Sequence, residues 1–326
     1  MMAPMVFLVL LPAAALGLLA AHVLPRNRTL AVIGGFVAAT SAWLLPQRDD
    51  VAARTILVFL FALGLGAVVD LWRLPWPSRP AGKPKRGRAI AYGGALVATT
   101  LIFTAYIGAE TPDSTWFGGG AVHGPVNSGK VALTFDDGPN IGATRKIMQI
   151  LDTHGAKGTF FEVGKAIDAQ PEITRALYDD GQLLGNHSYN HDQWRWLDPR
   201  YPELQRTQAA FRRAIGTCPV LYRPPHGDRT PFLARVVRDH NMHMVLWSAS
   251  AGDWATDNAQ LVARRILARA KPGAILLLHD GLDGIPTANR TVLVQALPII
   301  LDGLRAKGLT PVRLDTLLGT AAYQRC

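Results

Sequence analysis

The 326-residue sequence predicts an α-helical transmembrane bundle followed by an α/β domain. Three observations lead there. Charge is unevenly placed: residues 1–121 hold ten Lys/Arg and five acidic residues, and the rest of the chain holds 24 and 19. The charge-poor part contains apolar stretches long enough to cross a bilayer. From Val131 onward, short apolar runs alternate with amphipathic stretches, the texture of a parallel sheet closed as a barrel or left open. Only 18% of residues are charged, and the 49% hydrophobic content argues against disorder. Two cysteines, Cys218 and Cys326, exclude a disulfide scaffold. The net charge of +10 comes without an Arg-rich, aromatic-interleaved block, which argues against a nucleic-acid partner.

Residues 1–109 supply four expected membrane helices, from charge-free stretches at 1–25, 29–47, 55–69 and 89–109. The third reaches spanning length only with Asp70, which reads as a marker of the helix end. The first lacks the positive start of a signal peptide and is read as a retained helix. Between the third and fourth, residues 73–88 carry six basic residues and no acid, which places that loop in the cytoplasm and both termini outside. Membrane lipid is therefore an expected partner, and the later part of the chain is expected to be extracytoplasmic. Residues 110–127 contain Thr-Pro-Asp-Ser, Gly-Gly-Gly and Gly-Pro and read as a linker. The α/β domain is expected over 128–320.

Within it the strand candidates are 131–135, 158–163, 183–186, 220–223, 243–248 and 274–279. Helical patterns fall at 144–153, 171–180, 202–215, 231–241 and 259–270. Ligands in such folds gather at the C-terminal ends of the strands, and polar residues lie there repeatedly. Thr134-Phe135-Asp136-Asp137-Gly138-Pro139 ends the first strand. Adjacent carboxylates on an extended chain face opposite ways, so one can bind a metal while the other acts as a base. The same residues also describe a turn. His187-Ser188-Tyr189-Asn190-His191 places two imidazoles four apart, on one face if the segment forms a helical turn. With Asp137 they make a two-His, one-carboxylate set that suits Zn²⁺ and also non-haem Fe(II). Arg223-Pro224-Pro225-His226-Gly227 ends the fourth strand; its prolines stiffen the backbone, and Gly227 lets the chain approach a ligand. Asp253-Trp254 follows the fifth strand, and His279 ends the sixth. Glu162 reads either as a cleft residue or as a solvated strand end. Trp194 and Trp196 read either as sugar-stacking or as core residues.

Taken in order, Thr-Phe-Asp-Asp-Gly-Pro, His-Ser-x-x-His, Arg-Pro-Pro-x-Gly, Asp-Trp and Leu-x-Leu-His resemble the five motifs of the polysaccharide deacetylase family, the NodB-homology domain. The resemblance covers about residues 128–318 and none of the apolar part. It implies a distorted (β/α) barrel with one divalent metal, most often zinc, held by Asp137, His187 and His191. It implies Asp136 as general base, His279 as general acid, Arg223 pairing with Asp136, and Asp253 orienting His279. The His226 N–H would face the oxyanion, with Gly227 and Trp254 beside the substrate. The implied reaction is hydrolysis of the amide of an N-acetylated amino sugar. Its carrier would be an extracytoplasmic polysaccharide or peptidoglycan. Because four helices exceed what an anchor requires, the alternative is removal of an acetyl or formyl group from a lipid-linked (polyprenyl-phosphate) amino sugar at the membrane surface. A catalytically inactive glycan-binding protein is the alternative of another class. Two positions depart from the family pattern. His226 stands where Tyr is frequent, and Ser250 stands where an Asp usually supports Asp253, which predicts altered support or substrate fit there rather than loss of activity.

Overall fold

The computed structural model describes residues 108–109, 111–192 and 195–326. Apart from Gly108 and Ala109, all four apolar stretches lie outside these residues, as do Trp194 and the side chain of Trp196. No helix among the described residues is long and apolar enough to cross a membrane. The chain divides into two compact units, and the architecture described is that of the second, Pro112–Cys326.

Strand β1 is Lys130–Asp136, exposed at its first residue and buried thereafter. Its neighbours are β2 (Thr159–Glu162) on one side and β8 (Ile275–His279) on the other, both parallel to it. Outward from β2 lie β3 (Leu183–Asn186), β5 (Leu221–Tyr222) and β6 (His243–Met244); outward from β8 lies β7 (Ala249–Ser250). Short strand β9 (Thr310–Pro311) pairs with the start of β1. Every pairing in this sheet is parallel, and the order β6-β5-β3-β2-β1-β8-β7 is that of a curled (β/α) sheet. In chain order the helices are α1 (Thr144–Thr153), α2 (Gly164–Ala169), α3 (Pro171–Asp179), α4 (Glu203–Ile215), α5 (Pro231–Asp239), α6 (Ala259–Arg269), α7 (Thr291–Ala306) and α8 (Leu314–Leu318).

Local chemistry sets the helix ends. Helix α3 starts on Pro171, where a missing N–H costs nothing. The Thr230 hydroxyl caps α5 and the Asn258 side chain caps α6, each accepting from the third residue on. Helix α4 stops at Gly216, whose φ of 78° is left-handed. Strand alternation then divides two layers. Val131, Leu133 and Phe135 join the large core under the helices, where Phe135 stacks on Phe160 at 4.8 Å. Ala132, Thr134 and Asp136 face the inside of the curl.

The segment expected as a linker is woven into this unit. Ala121 donates to Met244 of β6 and accepts from Leu246 just beyond it, and Gly124 donates to Gly273 ahead of β8. Arg229, fully buried, donates to the carbonyls of Pro112 and Ser114. The two cysteines form a single disulfide, Cys218–Cys326, which joins β4 (Cys218–Pro219) to the chain end beyond β10 (Tyr323–Gln324).

Candidate active site and metal centre

The register of β1 against β8 sets Asp136 beside His279, both at the C-terminal ends of their strands. Asp137 follows in a left-handed conformation (φ 76°), which turns its carboxylate toward the histidines after β3. Its Oδ1 lies 3.1 Å from His191 Nε2 and 3.4 Å from His187 Nε2, and all three side chains are almost fully buried. Ligand atoms about 2.1 Å from a tetrahedral zinc stand roughly 3.4 Å apart, so the spacing suits such an ion. The chemistry of the donors suits it as well. Asp137 Oδ1 is buried with no hydrogen-bond partner, and the three ligand atoms lie within 4.8 Å of one another. His187 Nδ1 lies 2.8 Å from the Arg223 carbonyl, which fixes that proton on Nδ1 and frees Nε2 as a donor to metal.

Burial opposes ionisation of Asp137, yet the His191 charge and the His187 contacts hold its pKa well below the usual carboxylate range. For His191, burial pulls downward, but Asp137 and Asp283 outweigh it and leave the ring more basic than usual.

The two histidines meet by a route other than the one expected. Residues 187–191 form an irregular loop in place of a helical turn, with Ser188 and His191 both at positive φ. Short polar side chains make this possible: Asn186 Oδ1 accepts from Ser188 N–H, and Ser188 Oγ accepts from His191 N–H. These local bonds outcompete helix formation.

Arg223 ties Asp136 to the rest of the site. Fully buried, it donates to Asp136 Oδ1 at 2.7 Å, Thr134 Oγ1 at 2.9 Å and the Leu246 carbonyl at 2.9 Å. Its guanidinium also lies 4.2 Å above the Phe161 ring. Asp136 Oδ2 is then the oxygen left facing His187 Nε2, at 3.7 Å.

On the opposite side, Asp253 Oδ1 lies 2.9 Å from His279 Nδ1 while its Oδ2 accepts from the His279 N–H. Burial alone would make His279 less basic; the Asp253 carboxylate, reinforced by Asp137 and Asp136, lifts its pKa to about 9. Sequence reasoning did not find Arg290. Its Nη2 donates to Asp253 Oδ2 at 2.5 Å and its Nε to the His279 carbonyl at 2.9 Å. Asp253 is thus held on both oxygens, by His279 and by Arg290. Ser250 Oγ serves the adjacent turn by accepting from Gly252 N–H.

His226 has φ 58°, a left-handed conformation uncommon for a residue with a side chain. Its ring stands edge-on to His191 at 4.8 Å. The N–H groups of Gly227 and Asp228 close onto Pro224 and Pro225, and the His226 N–H is not part of that ladder. Trp254 is half exposed beside Asp253. Glu162 fits neither sequence expectation: it is fully buried on the Phe160 side of β2. Burial and the nearby Asp280 push its pKa well up, so the protonated form is favoured there.

A buried two-His, one-carboxylate cluster thus lies at the C-terminal ends of the parallel strands, with the Arg223-anchored Asp136 on one side and the Asp253-paired His279 on the other. Residues 123–245 match the sequence profile of the polysaccharide deacetylase family. A peptidoglycan-N-acetylglucosamine deacetylase of Bacillus cereus is 31% identical over 207 residues, 63% of this chain and 74% of that protein. A chitooligosaccharide deacetylase of Azorhizobium caulinodans is 30% identical over 191 residues, 56% of this chain and 91% of that one. The crystal structure of the Bc1960 peptidoglycan N-acetylglucosamine deacetylase superposes with a TM-score of 0.59 at 29% identity, covering 63% of this chain and 94% of that structure. The chain belongs to the polysaccharide deacetylase family and is a hydrolase of amide bonds carried by polysaccharides.

Proposed function

We propose that this protein removes the acetyl group from an N-acetylated amino sugar of an extracytoplasmic glycan such as peptidoglycan, using one divalent metal, Zn²⁺ by preference, held by Asp137, His187 and His191. The observation that carries this reading is the placement of Asp136 and His279 on adjacent strands with the ligand cluster beside them. The cation's part is Lewis acidity toward the amide carbonyl and the attacking water. Asp136, anchored by Arg223, takes the proton of that water on Oδ2. The His226 N–H meets negative charge as it develops on the carbonyl oxygen. His279, its Nδ1 committed to Asp253, presents Nε2 and gives its proton to the leaving nitrogen. The C–N bond then breaks to acetate and a free amine. Gly227 gives the backbone room to approach the sugar, and half-exposed Trp254 offers it an apolar face.

The Cys218–Cys326 disulfide supports an extracytoplasmic location, because such bonds persist in oxidising compartments. The basic loop at 73–88 supports the same side and an anchor in the cell membrane. Mass spectrometry of envelope glycans and of lipid-linked sugars, with wild type and Asp136→Asn, tests the proposal. Loss of one acetyl group from glycan, absent in the variant, is the expected result. An acetyl or formyl difference confined to lipid-linked sugar would move the substrate to that carrier. An unchanged biological effect in the variant would instead favour a glycan-binding module.

A further inference from the structure

We infer that Asp283 is a positioning residue that sets the metal affinity of the site by gripping two of its three ligands at once; this rests on the metal centre proposed above. The loop after β8 folds back over the turn after β1. Gly281 lies so close to it that a Cβ there would stand 2.1 Å from the Asp137 carbonyl oxygen. The Gly281 N–H donates to the Asp136 carbonyl at 3.1 Å, and the Ile141 N–H to the Pro286 carbonyl at 2.8 Å.

This close seating brings Asp283, held at φ 51°, into the cluster. Its backbone N–H donates to Asp137 Oδ2 at 3.0 Å, which leaves Oδ1 as that carboxylate's free donor. Its side-chain Oδ1 lies 3.1 Å from His191 Nδ1, the ring nitrogen remote from the ligand cluster. The Nδ1–H does not point straight at this oxygen, so the contact is chiefly electrostatic. A carboxylate there still favours the Nδ1–H tautomer and makes Nε2 a stronger donor. His187 obtains the same support from the Arg223 carbonyl. All three ligands are thus braced from behind, two of them by one residue that lies four positions past the last motif.

The test uses the full chain and Zn²⁺ in competition with a chromophoric chelator, with Asp283→Asn and Asp283→Gly compared to wild type. Both replacements tolerate the left-handed backbone and keep the N–H that holds Asp137. Zinc binding is expected to weaken by about 10–100-fold in each, while the melting temperature of the metal-free protein stays at the wild-type value. Affinities within twofold of wild type in both variants would overturn the assignment and leave the metal centre standing. Should wild type bind zinc no better than His187→Ala, the metal centre and this inference fall together. A drop in affinity matched by a drop in metal-free stability would also overturn it, by making Asp283 a structural residue only.

Discussion

The assignment of His279 as the acid makes a quantitative claim about Asp253. The buried carboxylate lies 2.9 Å from His279 Nδ1, and the ring titrates at about 9. A free imidazole titrates near ~6.5, so the environment supplies about 3 kcal/mol in favour of the cation. In Asp253→Asn the largest attraction is gone while burial and the weaker pull of Asp137 and Asp136 persist, and the pKa falls toward ~6.5. At about pH 8 the wild-type ring is then ~90% protonated and the variant ~3%, a loss of about 30-fold in available acid. The Asn side-chain oxygen still accepts from Arg290, so the loop after β7 keeps its anchor. The assay is kcat/KM for acetate release from an N-acetylated glycan fragment, followed from about pH 5 to about pH 10. The alkaline limb should move from near 9 to near 6.5, with a smaller loss at the acidic end. An alkaline limb left in place by Asp253→Asn would refute the argument, because some other group would then be supplying the proton.

Other outcomes follow from the same contacts. Asp136→Asn should lower kcat by about 10²–10⁴-fold without changing metal content by elemental analysis, as removal of a positioned base does. Cys218→Ser should cost about 2–5 kcal/mol in denaturant titration, because the bond closes a sequence separation of 108 residues. Glu162→Gln should raise the melting temperature at about pH 8 and have little effect at about pH 4. The folded state already favours the neutral acid there, so ionisation of the unfolded chain at higher pH weakens wild type alone. His279 contributes in a related window: its folded pKa lies above the unfolded one, so its stabilisation is complete below about pH 6.5 and is lost as pH rises through about 9. A melting profile of wild type against His279→Gln checks that sign.

The short motifs carry the side chains that the fold gathers at the centre of the site, and less of what surrounds them. Strand 183–186 and helix 144–153 fall where the patterns place them, because each is a short period flanked by clear breakers. Helix α7 escaped it: Pro298 sits inside and argues against a helix, yet Leu293, Leu297, Ile300 and Leu304 bury a continuous stripe that outweighs the lost hydrogen bond. The candidate strand at 243–248 shortens to β6 at His243–Met244, because the chain there leaves one edge of the sheet and rejoins the other edge only at β7, Ala249–Ser250. Arg290 and Asp283 were out of reach for another reason. Neither belongs to a short motif, and each acts only through the tertiary path of the loop after β8, which lays Asp283 over the turn after β1 and brings Arg290 to Asp253. The disulfide could not be read either, since two cysteines 108 residues apart carry no local sign of meeting.

The contact between the turn after β1 and the loop after β8 has a consequence for how such a protein can change over generations. A Cβ at Gly138 would strike the Asp280 carboxylate, and one at Gly281 would strike the Asp137 backbone. The junction of these two turns therefore resists a side chain at both positions. Ile141, Ile285 and Trp254, on the loops that follow β1, β8 and β7, are all solvent-facing. A change among those outer side chains meets no such steric bar, so the surface around the two turns has a freedom that their junction lacks.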